Sequence, residues 1–190
     1  MKALTLANQL TLLRIALIPA FVLLVVYGYL GWALAVFATA GITDALDGVI
    51  ARRSGQAGSG IGAWLDPMAD KLLMLTTFIV LTLPAIPLVN HIPLWLTVAV
   101  LSRDIVIIGV VAIVNLAVGP KVFKPSIWGK MTTAAYIITA VVVMAFNYLE
   151  RTSILVDLGI WASLGLTLIS ATDYFFRIRR LINEPAGVAG

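Results

Sequence analysis

Asp44, Asp47, Asp66 and Asp70 stand between two strongly apolar stretches, in a segment that reads TDALDGVIARRSGQAGSGIGAWLDPMAD from Thr43 to Asp70. Their spacings of three, nineteen and four residues constrain the chain more than any other feature. Residues three or four apart share one helix face, so the acids form two pairs on two helices. The pairs converge only if those helices present the acidic faces to one another, which is what a site for divalent metal ions needs. The rest of the chain reads as scaffolding for that meeting.

The scaffold belongs in a bilayer. With 61% hydrophobic and 12% charged residues, a chain of 190 residues cannot cover itself with a polar surface. Met1 to about Leu13 carries Leu6, Leu10 and Leu13 at helical spacing among Thr5, Asn8, Gln9 and Thr11, which predicts a short amphipathic helix lying at the interface. Six spans are predicted after it, over about 15–30, 31–53, 62–83, 94–118, 127–149 and 154–176. The expected fold is an all-α integral membrane protein with six transmembrane helices, one domain over residues 1–183, and a disordered tail over 184–190. The apolar run after Lys2 is long, contains Arg14 and lacks a small-x-small cleavage signature, so it is read as a retained first helix. Pro67 falls in the opening turns of the third span, where a missing backbone donor costs least. Residues 54–61, with Gly55, Gly58 and Gly60, are expected to form a flexible connection.

Charge sets the orientation. Lys2 and Arg14, Arg52 and Arg53, Lys121, Lys124 and Lys130, and Arg177, Arg179 and Arg180 all fall on one side of six spans, and only Arg151 falls on the other. Positive residues favour the cytoplasmic side, so both termini and the acidic segment are predicted to face the cytoplasm. The net charge of +4 is thus membrane orientation, and no basic stripe with interleaved aromatics suggests a nucleic-acid partner. The absence of cysteine excludes disulfides, thiolate metal sites and a cysteine nucleophile.

Each unpaired carboxylate in a span costs about 2.5 to 3.5 kcal/mol on insertion scales, so four together need compensation. Arg52, Arg53 and Lys71 offset part of that charge. One or two Mg²⁺ or Mn²⁺ ions do so with better geometry, because all-oxygen sites suit hard cations. Gly48 beside Asp47, and Gly62 one turn before Asp66, leave room for a ligand against the backbone. Two other readings compete: a structural ion-pair cluster, and a polytopic channel or transporter. A transporter predicts discontinuous helices in two corresponding halves, whereas the acids here are confined to one helix pair.

The pattern Asp44-x2-Asp47-Gly48-x2-Ala51-Arg52-x9-Gly62-x3-Asp66-x3-Asp70 resembles the signature of the CDP-alcohol phosphatidyltransferases. The nine residues between Arg52 and Gly62 are one more than the family usually has, an excess the glycine-rich loop can absorb. Asn8-x2-Thr11-x2-Arg14, Ser102-Arg103-Asp104 and Gly129-Lys130 also look like that family's, so the resemblance covers nearly the whole chain. It implies a membrane enzyme, usually a homodimer, that moves a phosphatidyl group from CDP-diacylglycerol to an alcohol and releases CMP. By the same resemblance Asp44, Asp47, Asp66 and Asp70 hold two divalent ions, and Asp70 doubles as the base for the acceptor hydroxyl. Gly48, Ala51, Arg52 and Gly62 then line the CMP moiety. A bacterial inner-membrane location is expected.

Arg103 and Lys130 are the expected acceptor-binding residues. A guanidinium inside a span needs an anionic partner, and a phosphate on the acceptor supplies one. Asp104 is set about 100° from Arg103 on an ideal helix, so it is not the expected partner. Lys130 reads either as a phosphate ligand or as a snorkelling anchor. His91 reads as a plain loop residue, and Asp157 and Asp173 as supports of the bundle or dimer.

Bacterial relatives with this N-terminal pattern are commonly phosphatidylglycerophosphate synthases, which makes glycerol 3-phosphate the first expected acceptor. Those enzymes often carry a further Arg and Lys where this chain has Val111 and Thr132. Lys124-Pro125-Ser126-x3-Lys130-x2-Thr133 looks instead like the cardiolipin synthases that use CDP-diacylglycerol, which makes phosphatidylglycerol the alternative.

Overall fold

The computed structural model describes residues 6–54, 62–118 and 126–183, all in helices and short connections. Six helices occur among the described residues: α1 Leu6–Val26, α2 Leu30–Ser54, α3 Gly62–Thr82, α4 Leu94–Val118, α5 Ile127–Tyr148 and α6 Ile154–Asn183. The glycine-rich connection, the loop bearing Lys121 and Lys124, and the 184–190 tail lie outside the described residues. Four helices, α2 to α5, match the expected spans closely, while α6 continues seven residues past Phe176.

The beginning of the chain differs from expectation. No break separates an interfacial segment from a first span within the described residues, because α1 is continuous from Leu6 to Val26 and carries Pro19 without ending. The reason lies in what the helix buries. Thr11 and Arg14 are each 1% exposed, whereas Leu12 and Leu13 are about half exposed. From Thr11 to Arg14 the polar side chains therefore face inward and the two leucines outward, the reverse of a helix resting on a membrane surface.

That inversion recurs along the chain. Thr77, Thr132, Thr139, Asn147, Ser163 and Ser170 are buried, while Trp32, Ile105, Leu116, Ile127 and Ile154 are exposed. A surrounding hydrocarbon phase explains both halves of the pattern, since it solvates apolar side chains and leaves polar ones to find partners inside. By length and composition, Ile127–Tyr148 and Ile154–Arg177 can each cross a membrane. Shorter apolar helical runs occupy Thr11–Val26 and Leu30–Thr43.

The chain divides into two compact units. One comprises residues 1–92 and 140–153. Its centre is α1, which packs against both α2 and α3. Ala33 and Ala40, fully buried, let α2 approach α1 closely, and Phe21 meets Phe37 with ring centroids 6.0 Å apart. Gly28, at φ 78°, closes α1: Tyr29 N–H donates to Leu24 O (2.7 Å) and Gly28 N–H to Val25 O (3.1 Å). This is the Schellman arrangement, which favours glycine at its left-handed position. The same pair of bonds ends α5, but there Glu150 takes the left-handed position at φ 52°. Asn147 ties the connection after α3 to the end of α5. Its Oδ1 accepts from Asn90 N–H (2.8 Å), and its Nδ2 donates to Asn90 O (2.8 Å) and Val143 O (2.9 Å).

The second unit comprises residues 93–139 and 154–190, and α5 contributes its first part to it. A ladder of hydroxyl contacts joins that part of α5 to α6. Thr132 Oγ1 donates to Leu166 O (3.0 Å), Tyr136 Oη meets Thr167 Oγ1 (2.6 Å), and Thr139 Oγ1 contacts Gly159 O (3.0 Å) and Ser163 Oγ (2.9 Å). Gly159 makes the close approach possible, because a Cβ there would stand 3.0 Å from Thr139 Oγ1. Such bonds are worth about 0.6 kcal/mol each on average in membrane bundles. Asn147 serves three backbone groups and should matter more. Thermal unfolding in detergent is expected to show a loss of about 1–3 kcal/mol for Asn147→Ala and about 0.6 kcal/mol for Thr139→Val.

Candidate functional site

The expected catalytic and metal-binding residues lie on two helices of the first unit. Asp44, Asp47, Gly48, Ala51 and Arg52 occupy the last three turns of α2. Gly62 opens α3, and Asp66 and Asp70 follow one and two turns later in the same helix. At these spacings each acid pair shares one face of its own helix. Among the described residues α2 and α3 each pack on α1 more than on one another, so α1 is the common support of both helices. The side chains of residues 44–54 and 62–67 lie outside the described set. Consequently no cluster of three metal-ligating side chains occurs among the described residues.

Asp70 is the acid whose surroundings the structure shows. Its Oδ1 accepts a hydrogen bond from Arg14 Nη1, in an ion pair between α3 and α1. The guanidinium is enclosed, at 1% exposure, whereas the Asp70 side chain is 41% exposed. Neighbouring Ala69 is fully buried and Leu73 nearly so, which seats this face of α3 in the packed interior. Asp70 thus stands at the margin of the core, anchored from inside and open outside. Arg14 belongs to the Asn8-x2-Thr11-x2-Arg14 pattern, whose spacing was the available signal, yet nothing in the sequence pairs it with Asp70.

In the second unit, Arg103 is nearly enclosed on α4, at 11% exposure. Its Nη1 donates to Asp104 Oδ1 (2.8 Å) and its Nη2 to Ser170 Oγ on α6 (2.8 Å). This corrects the expectation that adjacent Asp104 points too far away. The angle between neighbouring residues fixes where the two stems leave the helix, but the arginine stem is long and flexible enough to bring its fork round. The Nε of Arg103 is buried with no hydrogen-bond partner among the described residues. Gly129 on α5 makes space for the guanidinium, since a Cβ there would stand 3.2 Å from Nη2.

Ser126 precedes α5, and its carbonyl accepts from Lys130 N–H (3.1 Å). Its hydroxyl donates to Asp173 on α6, which also accepts from Arg177 Nε (2.9 Å). Asp173 is therefore a structural tie between α5 and α6, the supporting role expected of it. Lys130 is exposed in the first turn of α5. Sequence reasoning missed Ser170, a small polar residue in an apolar helix with no distinguishing spacing. His91 lies in the connection after α3, where its Nε2 is 3.1 Å from Ile86 O, consistent with a plain loop role.

The donor set expected for a metal is four carboxylates in a chain without cysteine, which is the chemistry of a hard divalent cation. The half-exposed Asp70 is accessible to one.

Comparison with known proteins gives a consistent result. The sequence profile described as CDP-alcohol phosphatidyltransferase matches residues 4–169. A "Probable phosphatidylglycerophosphate synthase" of Mycobacterium tuberculosis is 35% identical over 186 residues, which cover 92% of this chain and 82% of that protein. A "Cardiolipin synthase (CMP-forming)" of Homo sapiens is 33% identical over 197 residues, covering 94% of this chain and 63% of that protein. The cardiolipin synthase (CMP-forming) of Rattus norvegicus is 34% identical over 201 residues, covering 96% and 64%.

Proposed function

The chain belongs to the CDP-alcohol phosphatidyltransferase family, and from that premise we propose that it transfers the phosphatidyl group of CDP-diacylglycerol to a glycerol-type alcohol that itself carries a phosphate. It is a membrane-bound phosphatidyltransferase of phospholipid synthesis, which displaces the transporter reading. The proposal extends to six spans, a single domain over residues 1–183, a homodimer, and termini and site facing the cytoplasm of a bacterial inner membrane. The alternation of positive residues supports that orientation.

Roles follow from the acids. Asp44, Asp47, Asp66 and Asp70 hold two Mg²⁺ or Mn²⁺ ions. When bound, such ions neutralise the diphosphate and stabilise the departing CMP. Gly48, Ala51, Arg52 and Gly62 line the CMP moiety, the glycines by leaving the backbone open to it. Asp70 accepts the proton of the acceptor hydroxyl. The acceptor oxygen then bonds to the phosphatidyl phosphorus, and the bond to CMP breaks with its electron pair going to CMP. The half-exposed, anchored carboxylate of Asp70 is the observation that carries this assignment.

Two acceptors fit the names of the relatives, glycerol 3-phosphate and phosphatidylglycerol. Glycerol 3-phosphate brings a phosphomonoester of nearly two negative charges, phosphatidylglycerol a diester of one. One observation favours the second: Arg103 is already partly neutralised by Asp104. Thr132, where a second lysine often stands, is fully buried and bonded to Leu166 O, so it adds no charge. One compensated guanidinium with exposed Lys130 suits a monoanion better than a dianion.

Purified protein given Mn²⁺ and labelled CDP-diacylglycerol is expected to release CMP, to stop with a chelator, and to lose at least about 1,000-fold in turnover as Asp70→Asn. Retained turnover in Asp70→Asn rejects the assignment. Offered both acceptors, the enzyme is expected to form cardiolipin in preference to phosphatidylglycerophosphate, and the reverse product ratio returns the acceptor to glycerol 3-phosphate. Arg103→Met is expected to raise the KM for the acceptor by about tenfold or more while sparing that for CDP-diacylglycerol.

A further inference from the structure

Arg14 is the one charged side chain in the buried class among the described residues, and the reaction above assigns it nothing. It lies in the first half of α1, one turn after the equally buried Thr11, and reaches Asp70 on α3. Enclosing a guanidinium is costly unless a carboxylate receives it, so this contact has to be accounted for.

Two features separate it from a pair that serves stability alone. The first is asymmetry: the cation is sealed in the core while its carboxylate stays 41% exposed. An anion held from behind and open in front is arranged to meet something else. The second is the origin of the anchor. Arg14 comes from α1, the helix on which both α2 and α3 pack, so it references the direction of the Asp70 carboxylate to the common support of both helices. Arginine suits the task better than lysine, because it does not lose its proton when buried.

We propose that Arg14 is a positioning residue whose guanidinium holds the Asp70 carboxylate in the orientation from which it takes the acceptor's proton. This rests on the assignment of Asp70 made above. Arg14 is 1% exposed, and its effect on the reaction is assigned to its contact with Asp70.

Full-length Asp70→Asn, Arg14→Met, Arg14→Lys and the double variant Arg14→Met/Asp70→Asn test it. Thermal unfolding in detergent without added metal reads the pair. A buried guanidinium deprived of its carboxylate costs more than the loss of both partners, so Asp70→Asn is expected to unfold at a lower temperature than the double variant. Asp70→Asn as stable as the parent, or a double variant less stable than Asp70→Asn, overturns the pairing. Steady-state CMP release reads the positioning. Folded Arg14→Met is expected to lose about 100-fold in kcat with KM for CDP-diacylglycerol within about threefold, and Arg14→Lys to recover part of the loss. Should Arg14→Met fail to fold, Arg14→Lys carries the test, with kcat lowered about tenfold at unchanged KM. Parental kcat in a folded Arg14 variant overturns the positioning role. With Asp70→Asn inactive, that outcome leaves the proposed reaction standing, whereas an active Asp70→Asn is the separate failure of that reaction.

Discussion

Hydrocarbon offers no hydrogen bonds, and the structure is arranged around that lack. A polar group that cannot be solvated from outside must be satisfied from within. The Thr and Ser ladder between α5 and α6, the amide of Asn147 and the guanidinium of Arg14 are all answers to the same demand. Each turns a cost into a constraint, because the partner must stand at one place. Thr139 reaches Gly159 O only where a glycine allows the helices to close, and Asn147 fixes a connection that apolar packing alone would leave loosely specified.

The same demand governs the charged residues Asp70 and Arg103. An acid or arginine in a span must have a partner, and the partner then shapes what the group can do. Asp70 is held by a cation sealed in the core and so keeps an open side. Arg103 is held by Asp104 and Ser170, so its charge is already partly compensated.

Much of the fold was legible because a membrane span is a long, local signal. The bounds of α4 matched the apolar run at both ends, and the prolines and glycines flanking the other runs marked where helices stop. Legibility failed where one helix serves two environments. The segment around Thr11 and Arg14 has the periodicity of a surface helix, but its polar face is buried, because periodicity reports which residues share a face and not what that face meets. The helices that carry the candidate site residues were legible to a similar depth. Four carboxylates at helical spacing pointed to a site through electrostatic cost alone, while the partnership of Arg103 with Asp104 was misjudged because backbone angle is a poor guide to the reach of a long side chain.

By itself the sequence determined the helical membrane class, the positions of most helices, the pairing of the acids on two of them, and through a long signature the family and its reaction. These follow from composition, period and order, which are properties of neighbours along the chain. Only the tertiary structure decided that α1 is the support shared by both acidic helices, that Arg14 anchors Asp70, and that Arg103 is compensated by Asp104 and Ser170. The Arg14 and Ser170 contacts join residues 56 and 67 positions apart, and helix packing alone selects them. In a medium without competing water, the partner a buried charge finds there decides its role.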